Sequence, residues 1–424
     1  MAHSVSGYVR YVSMWFNTKF VSVPYFLYLC GMKILHTADW HLGKYLNNFS
    51  LLEDQRHILA QFTNMVKEHK PDIILLAGDI YDRSVPPAEA IKLFDDVMSE
   101  IILTLKIPVI AIAGNHDNAE RVGYCNGILE KQGLHMFGKL GEASPLHTLP
   151  QITLQDAFGD VHFFPIPFTE PETLRFLTRK DGQESSIRTH QDVMDWVTTQ
   201  INAQCPTGRR ILIGHAFVAG GEASDSERDL MVVGGVSYVK ASTFDAFTYT
   251  ALGHLHAPQS FKEKVRYSGS PLKYSFSEAH HSKSITLLTL DANGIKDEAV
   301  LPFLPLHDMH RVKGVIEDFT FKITSKGNES VGANDFLEVT LENEVGFLNP
   351  MSIIQKTYPN AMHLRRSESV GKRKNQALDA SSLKDMSEAD LFVAFFKKCY
   401  VDKELTEKQI GFLGESIRSL RDKD

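Results

Sequence analysis

The chain has 424 residues, a length that predicts two or three domains and a core large enough to need no disulfide or metal staple. Hydrophobic residues make up 43% and charged residues 23%, which excludes a mainly disordered, collagenous or coiled-coil chain. The formal net charge is −7, from 45 basic and 52 acidic residues, so any nucleic-acid surface must be a local patch.

Residues 1–31 carry Arg10 and Lys19, no acid, and a run of aromatics from Tyr8 to Tyr28. Val21–Cys30 resembles the apolar stretch of a signal peptide only weakly. Pro24 interrupts it, no small-residue cleavage site follows, and it falls short of the roughly 20 apolar residues that span a bilayer. Met32 is therefore the expected functional start, with 1–31 a dispensable extension. The four cysteines, Cys30, Cys125, Cys205 and Cys399, share no Cys-x-x-Cys spacing. They are expected to be isolated buried thiols in a reducing compartment.

From Met32 the pattern predicts a strand at Lys33–Thr37, then a capping box at Ser50-Leu51-Leu52-Glu53 opening a helix to Lys70 with Ile58, Phe62 and Met65 on one face. Ile73–Ala77 is an apolar strand. Pro86-Pro87 opens a second helix to about Leu105 with Ile91, Phe94 and Met98 on one face, and Val109–Ala113 is again a buried strand. His162–Ile166 reads as a strand, Gln191–Ala203 as a helix, and Ile211–Ile213, Tyr249–Leu252, Val265–Ser268 and Ile285–Leu290 as strands. Alternating elements followed by a strand-rich half imply a layered α/β (α+β) domain over 32–306. A small α+β module with a basic linker is expected over 307–384, with a strand at Phe336–Leu341 and a helix at Pro350–Thr357. Ser387–Asp390 would cap the first of two helices in 385–424, and Leu391, Phe392, Phe395 and Phe396 give that helix an apolar face.

The predicted strands end in chemistry. Asp39-Trp40-His41, Gly78-Asp79, Gly114-Asn115-His116-Asp117, Gly214-His215 and Gly253-His254-Leu255-His256 each follow an apolar run. Ligand sites in α/β folds gather outside strand ends, so Asp39, His41, Asp79, Asn115, His215, His254 and His256 are expected in one place. Imidazole, carboxylate and amide without thiolate suit Mn, Fe or Zn in a reactive site. Seven donors are too many for one ion and fit two, with Asp79 central enough to bridge. Two such ions clamp a phosphate, activate water and stabilise the leaving oxygen. The glycines that end the strands are expected to supply sharp turns.

In this order the motifs resemble the calcineurin-like metallophosphoesterases, and more closely their SbcD-type nuclease branch. Lys33–Gly43, Asp54-Gln55-Arg56, Ala77–Asp82, Ala113–Asp117 and Tyr267-Ser268-Gly269-Ser270-Pro271 carry the resemblance over residues 32–300. Tyr81 stands where phenylalanine is more usual. The resemblance implies a β-sandwich flanked by helices, a capping domain and C-terminal helices. It implies Asp39, His41, Asp79 and His256 on one ion and Asp79, Asn115, His215 and His254 on the other, most often Mn2+. His116, beside Asn115, is the candidate general acid, because an imidazole titrates near working pH. Asp82 and Asp117 are candidates for orienting the ligands.

The resemblance further implies a DNA nuclease subunit, with 3′-5′ exonuclease action on duplex ends and endonuclease action on hairpins and single strands. It would work in repair, recombination and replication, in the cytoplasm at the nucleoid. The implied partners are an SbcC-type coiled-coil ATPase, docked through the C-terminal helices, and a second copy of the chain within a heterotetramer. No GxxxxGK[ST] motif is present, so ATP dependence would come from that partner. Arg228, Arg365, Arg366, Lys372, Arg373 and Lys374 are candidate phosphate contacts. The rival enzyme is a phosphatase or cyclic-nucleotide phosphodiesterase on the same fold. A catalytically dead scaffold predicts lost ligands, and none are missing.

Overall fold

The computed structural model describes residues 11–16, 19–24, 31–140, 148–179, 185–227, 238–320, 331–342, 349–366, 387–399 and 405–421. Strand β1 (Tyr11–Phe16) pairs antiparallel with β2 (Lys19–Pro24) in a sheet of their own. The chain then builds β3 (Lys33–Thr37), a small hairpin of β4 (Tyr45–Leu46) and β5 (Phe49–Ser50), and helix α1 (Leu52–His69). Asn47 and Asn48, both at positive φ, make the hairpin turn, as a two-residue connection requires. β6 (Ile73–Ala77), α2 (Ala88–Ser99), β7 (Val109–Ile112), the short helices α3 (Ala119–Val122) and α4 (Asn126–Leu129), and β8 (Leu134–Phe137) follow. The second half brings β9 (Ile152–Asp156), β10 (Gly159–Pro165), α5 (Pro171–Leu177), α6 (His190–Gln204) and β11 (Arg209–His215). After these come β12 (Tyr249–Gly253), β13 (Gln259–Phe261), β14 (Val265–Tyr267), β15 (Ser284–Asp291) and β16 (Gly294–Pro302).

These strands form two six-stranded sheets, ordered β16-β15-β3-β6-β7-β8 and β13-β14-β12-β11-β10-β9. In each, four neighbouring strands run parallel; antiparallel pairing adds β15 and β16 to one edge of the first sheet and places β13 and β9 at opposite edges of the second. The apolar runs explain the layering. In β6, Ile73, Leu75 and Ala77 point into the core between the sheets, where they meet Phe163, Ile211, Ile213 and Ala251 of the other sheet. Ile74 and Leu76 point the other way, onto the cluster that holds Ile58, Phe62 and Phe94 of α1 and α2. On the far side Leu212 and Leu252 meet Leu174 of α5 and Val193 and Val197 of α6. The result is helix, sheet, sheet, helix: both faces of each central strand are buried, as a parallel core demands.

A partly buried ion pair ties the layers at one edge. The Arg209 guanidinium grips Asp156 through two bonds of 2.6 and 2.7 Å and donates to the Gly159 and Asp291 carbonyls, while Asp156 also accepts the Met32 N–H. Burial works against the Asp156 charge, but the Arg209 bonds outweigh it and hold the carboxyl below its ordinary value. Asp156→Asn removes the anion facing Arg209, which keeps the Gly159 and Asp291 carbonyls, and should cost about 1–2 kcal/mol of stability. A depressed native pKa stabilises above the unfolded value near 4 and ceases to do so as pH falls through the native one. The gap in unfolding midpoint between wild type and variant should therefore be full at pH 7 and shrink at pH 3; equal midpoints at pH 7 would refute the pair's role.

A third sheet, β17 (Met309–Gly314), β18 (Phe336–Leu341) and β19 (Ala361–Arg366), carries the short helix α7 (Pro350–Ile354) over a core of Ile316, Leu337, Val339, Ile354 and Tyr358. Helices α8 (Glu388–Cys399) and α9 (Glu407–Arg421) belong to a separate compact unit, residues 366–424. Ser387 caps α8 as its sequence predicts, accepting the Asp390 N–H at 3.2 Å. Among the described residues no helix is long and apolar enough to cross a membrane.

Three expectations are corrected. Ser50 does not cap α1, because it is the last residue of β5; Leu51 takes the cap position without a side-chain bond, and Glu53 and Asp54 offset the helix dipole instead. Ile91 is exposed, since α2 buries Ala90, Leu93 and Val97 beside Phe94 and Met98, and the helix gives way to a π turn at Glu100–Thr104. Cys125 is exposed at a left-handed turn, whereas Cys205 is buried as expected.

Candidate metal centre

β3, β6 and β7 of one sheet and β11 and β12 of the other end at the same edge, and all seven predicted donors stand there. The sheets approach so closely that a Cβ on Gly253 would lie 1.9 Å from the Ala77 carbonyl oxygen, and between neighbouring strands of the first sheet a Cβ on Gly114 would lie 2.1 Å from Asp79 Oδ1. These glycines serve close approach rather than turning, the role expected from sequence; only Gly78 of the strand-ending set has positive φ.

Asp79 is the centre of the arrangement. Its Oδ2 lies 3.5 Å from His41 Nε2 and 3.5 Å from His215 Nε2, while its Oδ1 accepts the His116 N–H at 2.9 Å. On one side His41 Nε2 faces His256 Nε2 at 3.1 Å. On the other, Asn115 Oδ1 lies 2.9 Å from His215 Nε2 and 3.3 Å from His254 Nδ1. Asp39 Oδ1 accepts the His254 N–H at 2.9 Å. Its Oδ2 is buried without a hydrogen-bond partner, as is His41 Nδ1. Donor atoms of Asp39, Asp79 and His215 lie within 4.8 Å of one another, and so do those of His41, Asp82 and His116. Ligand bonds of about 2.1 Å set neighbouring donors about 3–3.5 Å apart, the spacing found here. Packed N and O donors with an orphaned carboxylate oxygen fit divalent ions.

The tautomers follow from the outer contacts. His215 Nδ1–H donates to the Ala77 carbonyl at 3.0 Å, which turns the Nε2 lone pair inward. Burial disfavours charge throughout, yet Asp79 and Asp39 lift the His215 imidazolium to about 9, while burial and Asp79 push the Asp39 carboxyl to about 7. A cation held here would compete with a proton for His215 Nε2. Asp39, His41, Asp79 and His254 all sit at positive φ, 54°, 43°, 48° and 103°. Local strain of this kind concentrates at functional sites and is held by the surrounding packing.

The remaining predicted residues are placed as follows. His116 is half-buried, its ring centre 4.7 Å from that of His41 in an edge-to-face arrangement, and its Nδ1–H donates to the Asp82 carbonyl at 2.9 Å. The Asp82 carboxylate accepts from Lys44 at 2.7 Å and lies 3.6 Å from His41 Nδ1. Asp117 accepts N–H groups of Ile80, Tyr81 and Gly114 and so ties the β6 and β7 loops together. Arg365 stands 2.9 Å from Glu338, which also pairs with Arg311 and His363. Arg228, Lys372, Arg373 and Lys374, and the Arg366 side chain, lie outside the described residues.

Sequence reasoning missed the groups behind His256. Its Nδ1 meets Ser226 Oγ at 2.7 Å and Glu278 Oε1 at 3.2 Å, and its N–H donates to Glu227 at 2.6 Å. It also gave Gln55 no role. The Gln55 amide is buried and binds the Gly43 N–H and the His41 carbonyl, and Tyr274 donates to the Trp40 carbonyl, so both brace the first metal loop. No sequence signal marks the pair, because Glu278 and Lys283 stand among Lys273, His280 and His281 in one polar stretch.

The family described as calcineurin-like phosphoesterase matches residues 32–258, and the family described as type 5 capsule protein repressor C-terminal domain matches residues 305–400. A protein of Staphylococcus epidermidis (strain ATCC 12228 / FDA PCI 1200) described as one of the subunits of nuclease SbcCD is 37% identical over 336 residues, covering 78% of this chain and 85% of its own. Among solved structures, a dimetal phosphatase from Danio rerio is 12% identical, with a TM-score of 0.39 over 65% of this chain and 100% of that one. The protein TT1561 of Thermus thermophilus is also 12% identical, with a TM-score of 0.36 over 64% of this chain and 99% of that one.

Proposed function

The chain belongs to the calcineurin-like phosphoesterase family, and from that membership we propose an SbcD-type DNA nuclease subunit that hydrolyses phosphodiester bonds at a two-ion centre. The observation that carries this is the Asp79 carboxylate oxygen, 3.5 Å from an imidazole nitrogen of each donor group. One group is Asp39, His41 and His256, the other Asn115, His215 and His254. Asp79 serves both. The hard and borderline donors suit Mn2+. The ions would supply Lewis-acid clamping of the phosphate and a water acidified at neutral pH. The chain's own residues do the rest. Asp79 and Asp39 keep the donor set anionic. His116 commits its Nδ1–H to the Asp82 carbonyl, so the second proton of its imidazolium form sits on Nε2, from which it passes to the leaving oxygen and leaves a neutral imidazole.

The name of the staphylococcal relative places it in a complex with a second kind of subunit. By that likeness the partner of this chain is an SbcC-type ATPase bound through the apolar faces of α8 and α9, with two copies of the chain in the assembly. Duplex ends, hairpins and single strands are the DNA substrates, with 3′-5′ polarity on duplex, and the setting is repair and recombination at the nucleoid. The test is cleavage of an end-labelled DNA hairpin with Mn2+, the ATPase and ATP, run beside hydrolysis of a cyclic nucleotide. Cut hairpin and intact cyclic nucleotide are expected. An intact hairpin with a hydrolysed cyclic nucleotide would move the chain to the small-molecule phosphodiesterases.

A further inference from the structure

His256 is held at both its ring nitrogen and its main chain. His215 has one outer bond, to a main-chain carbonyl. His256 is gripped at Nδ1 by Ser226 and Glu278, at its N–H by Glu227, and at its carbonyl by Lys283, 2.9 Å away. Glu278 and Lys283 are both buried and pair at 2.5 Å; Lys283 also donates to Ser270. Burying a glutamate and a lysine is costly unless each is fully bonded. Here the bonds of the pair converge beneath one imidazole. A carboxylate accepting from Nδ1 fixes the tautomer, aims the Nε2 lone pair and raises its basicity.

The grip comes from two segments. Glu278 and Lys283 follow the Ser268–Pro271 turn. Ser226 and Glu227 come from the loop after β11, and Glu227 also accepts the Ser224 N–H at 2.7 Å, so the loop is folded around the same carboxylate that holds the His256 N–H. Ser226 further donates to Glu278, and Ser224 does so at 3.1 Å, closing the loop onto the buried pair.

We propose that Glu278 is the positioning residue of His256, and that the Ser224–Glu227 loop is a latch whose docking and the ion on the His256 side stabilise each other. This rests on the reading of His256 as a ligand. The coupling is reciprocal: a docked loop tightens the ion, and the ion protects the loop.

The experiment titrates full-length protein with Mn2+ alone, following the free ion by paramagnetic resonance. Glu278→Gln is expected to weaken one of the two ions by about 10–100-fold and to leave the other unchanged. Ser226→Ala should weaken the same ion less. The double variant Glu278→Gln with Lys283→Met removes the stranded ammonium. If the pair only filled the core, the double variant would recover wild-type Mn2+ affinity and overturn the proposal; persistent weakening supports it. In wild type, removing the ions with a chelator should speed amide exchange in residues 222–227, and unchanged exchange would overturn the latch. His256→Ala distinguishes the premise. If that variant keeps both ions at wild-type affinity, the ligand reading fails and this proposal with it; if it loses one while Glu278→Gln loses none, only the positioning role fails.

Discussion

Asp79→Asn should lower phosphodiester turnover by about 10³-fold or more and strip at least one of two Mn2+ ions, with the fold intact. The substitution is small in space and large in chemistry. Asparagine keeps an oxygen for the His116 N–H, 2.9 Å from Asp79 Oδ1. It also tolerates the left-handed backbone at φ 48° that this position requires, where most residues would strain. What it changes is Oδ2, midway between His41 Nε2 and His215 Nε2. There an amide nitrogen would point hydrogens at the place where a shared anionic oxygen is needed. Removing the charge also removes the largest attraction that opposes desolvation at His215. Metal content after dialysis, circular dichroism and turnover together decide it. A folded variant holding two ions at wild-type turnover would remove Asp79 from the centre.

The clustering of these side chains was legible because each follows an apolar strand and strands fix where their ends go. Ile73–Ala77 has no polar residue and is buried on both faces, so Asp79 can only emerge at the sheet edge. The same logic separates His36 from His41. His36 lies within β3, inside the sandwich, bonded to the Tyr249 hydroxyl at 2.9 Å, and it is a core histidine. Five residues later the strand has ended and His41 faces Asp79 and His256.

The cradle of His256 was not legible, for a physical reason. Glu278 and Lys283 look like surface charges in any window of sequence, because burial of a charge depends on partners from elsewhere in the chain. Ser226 and Glu227 reach them from across a gap of some fifty residues with no periodicity to announce it. The failed capping box at Ser50 has the same origin. The local pattern was right, but a two-stranded hairpin drew Ser50 into pairing with Tyr45 first. Tertiary pairing outweighed a local cap whose worth is about 1 kcal/mol.

His116→Leu should lower DNA cleavage by about 10²–10⁴-fold while both ions stay bound. Leucine fills a comparable space against the His41 ring and keeps the main-chain N–H that Asp79 accepts, so the donor set is undisturbed. The side-chain bond lost is Nδ1 to the Asp82 carbonyl, which orients the ring. The nature of the loss separates two roles. A proton donor matters in proportion to the basicity of the leaving oxygen. An alkoxide departing from DNA needs that proton; a nitrophenolate does not. If His116 delivers a proton, the variant should fail on DNA and lose little on bis(p-nitrophenyl) phosphate. If instead the imidazole only stabilises charge on the pentavalent phosphorus, both substrates slow alike. Wild-type rates on both would leave His116 as a spacer between Asp79 and Asp82, and the proton would have to come from solvent.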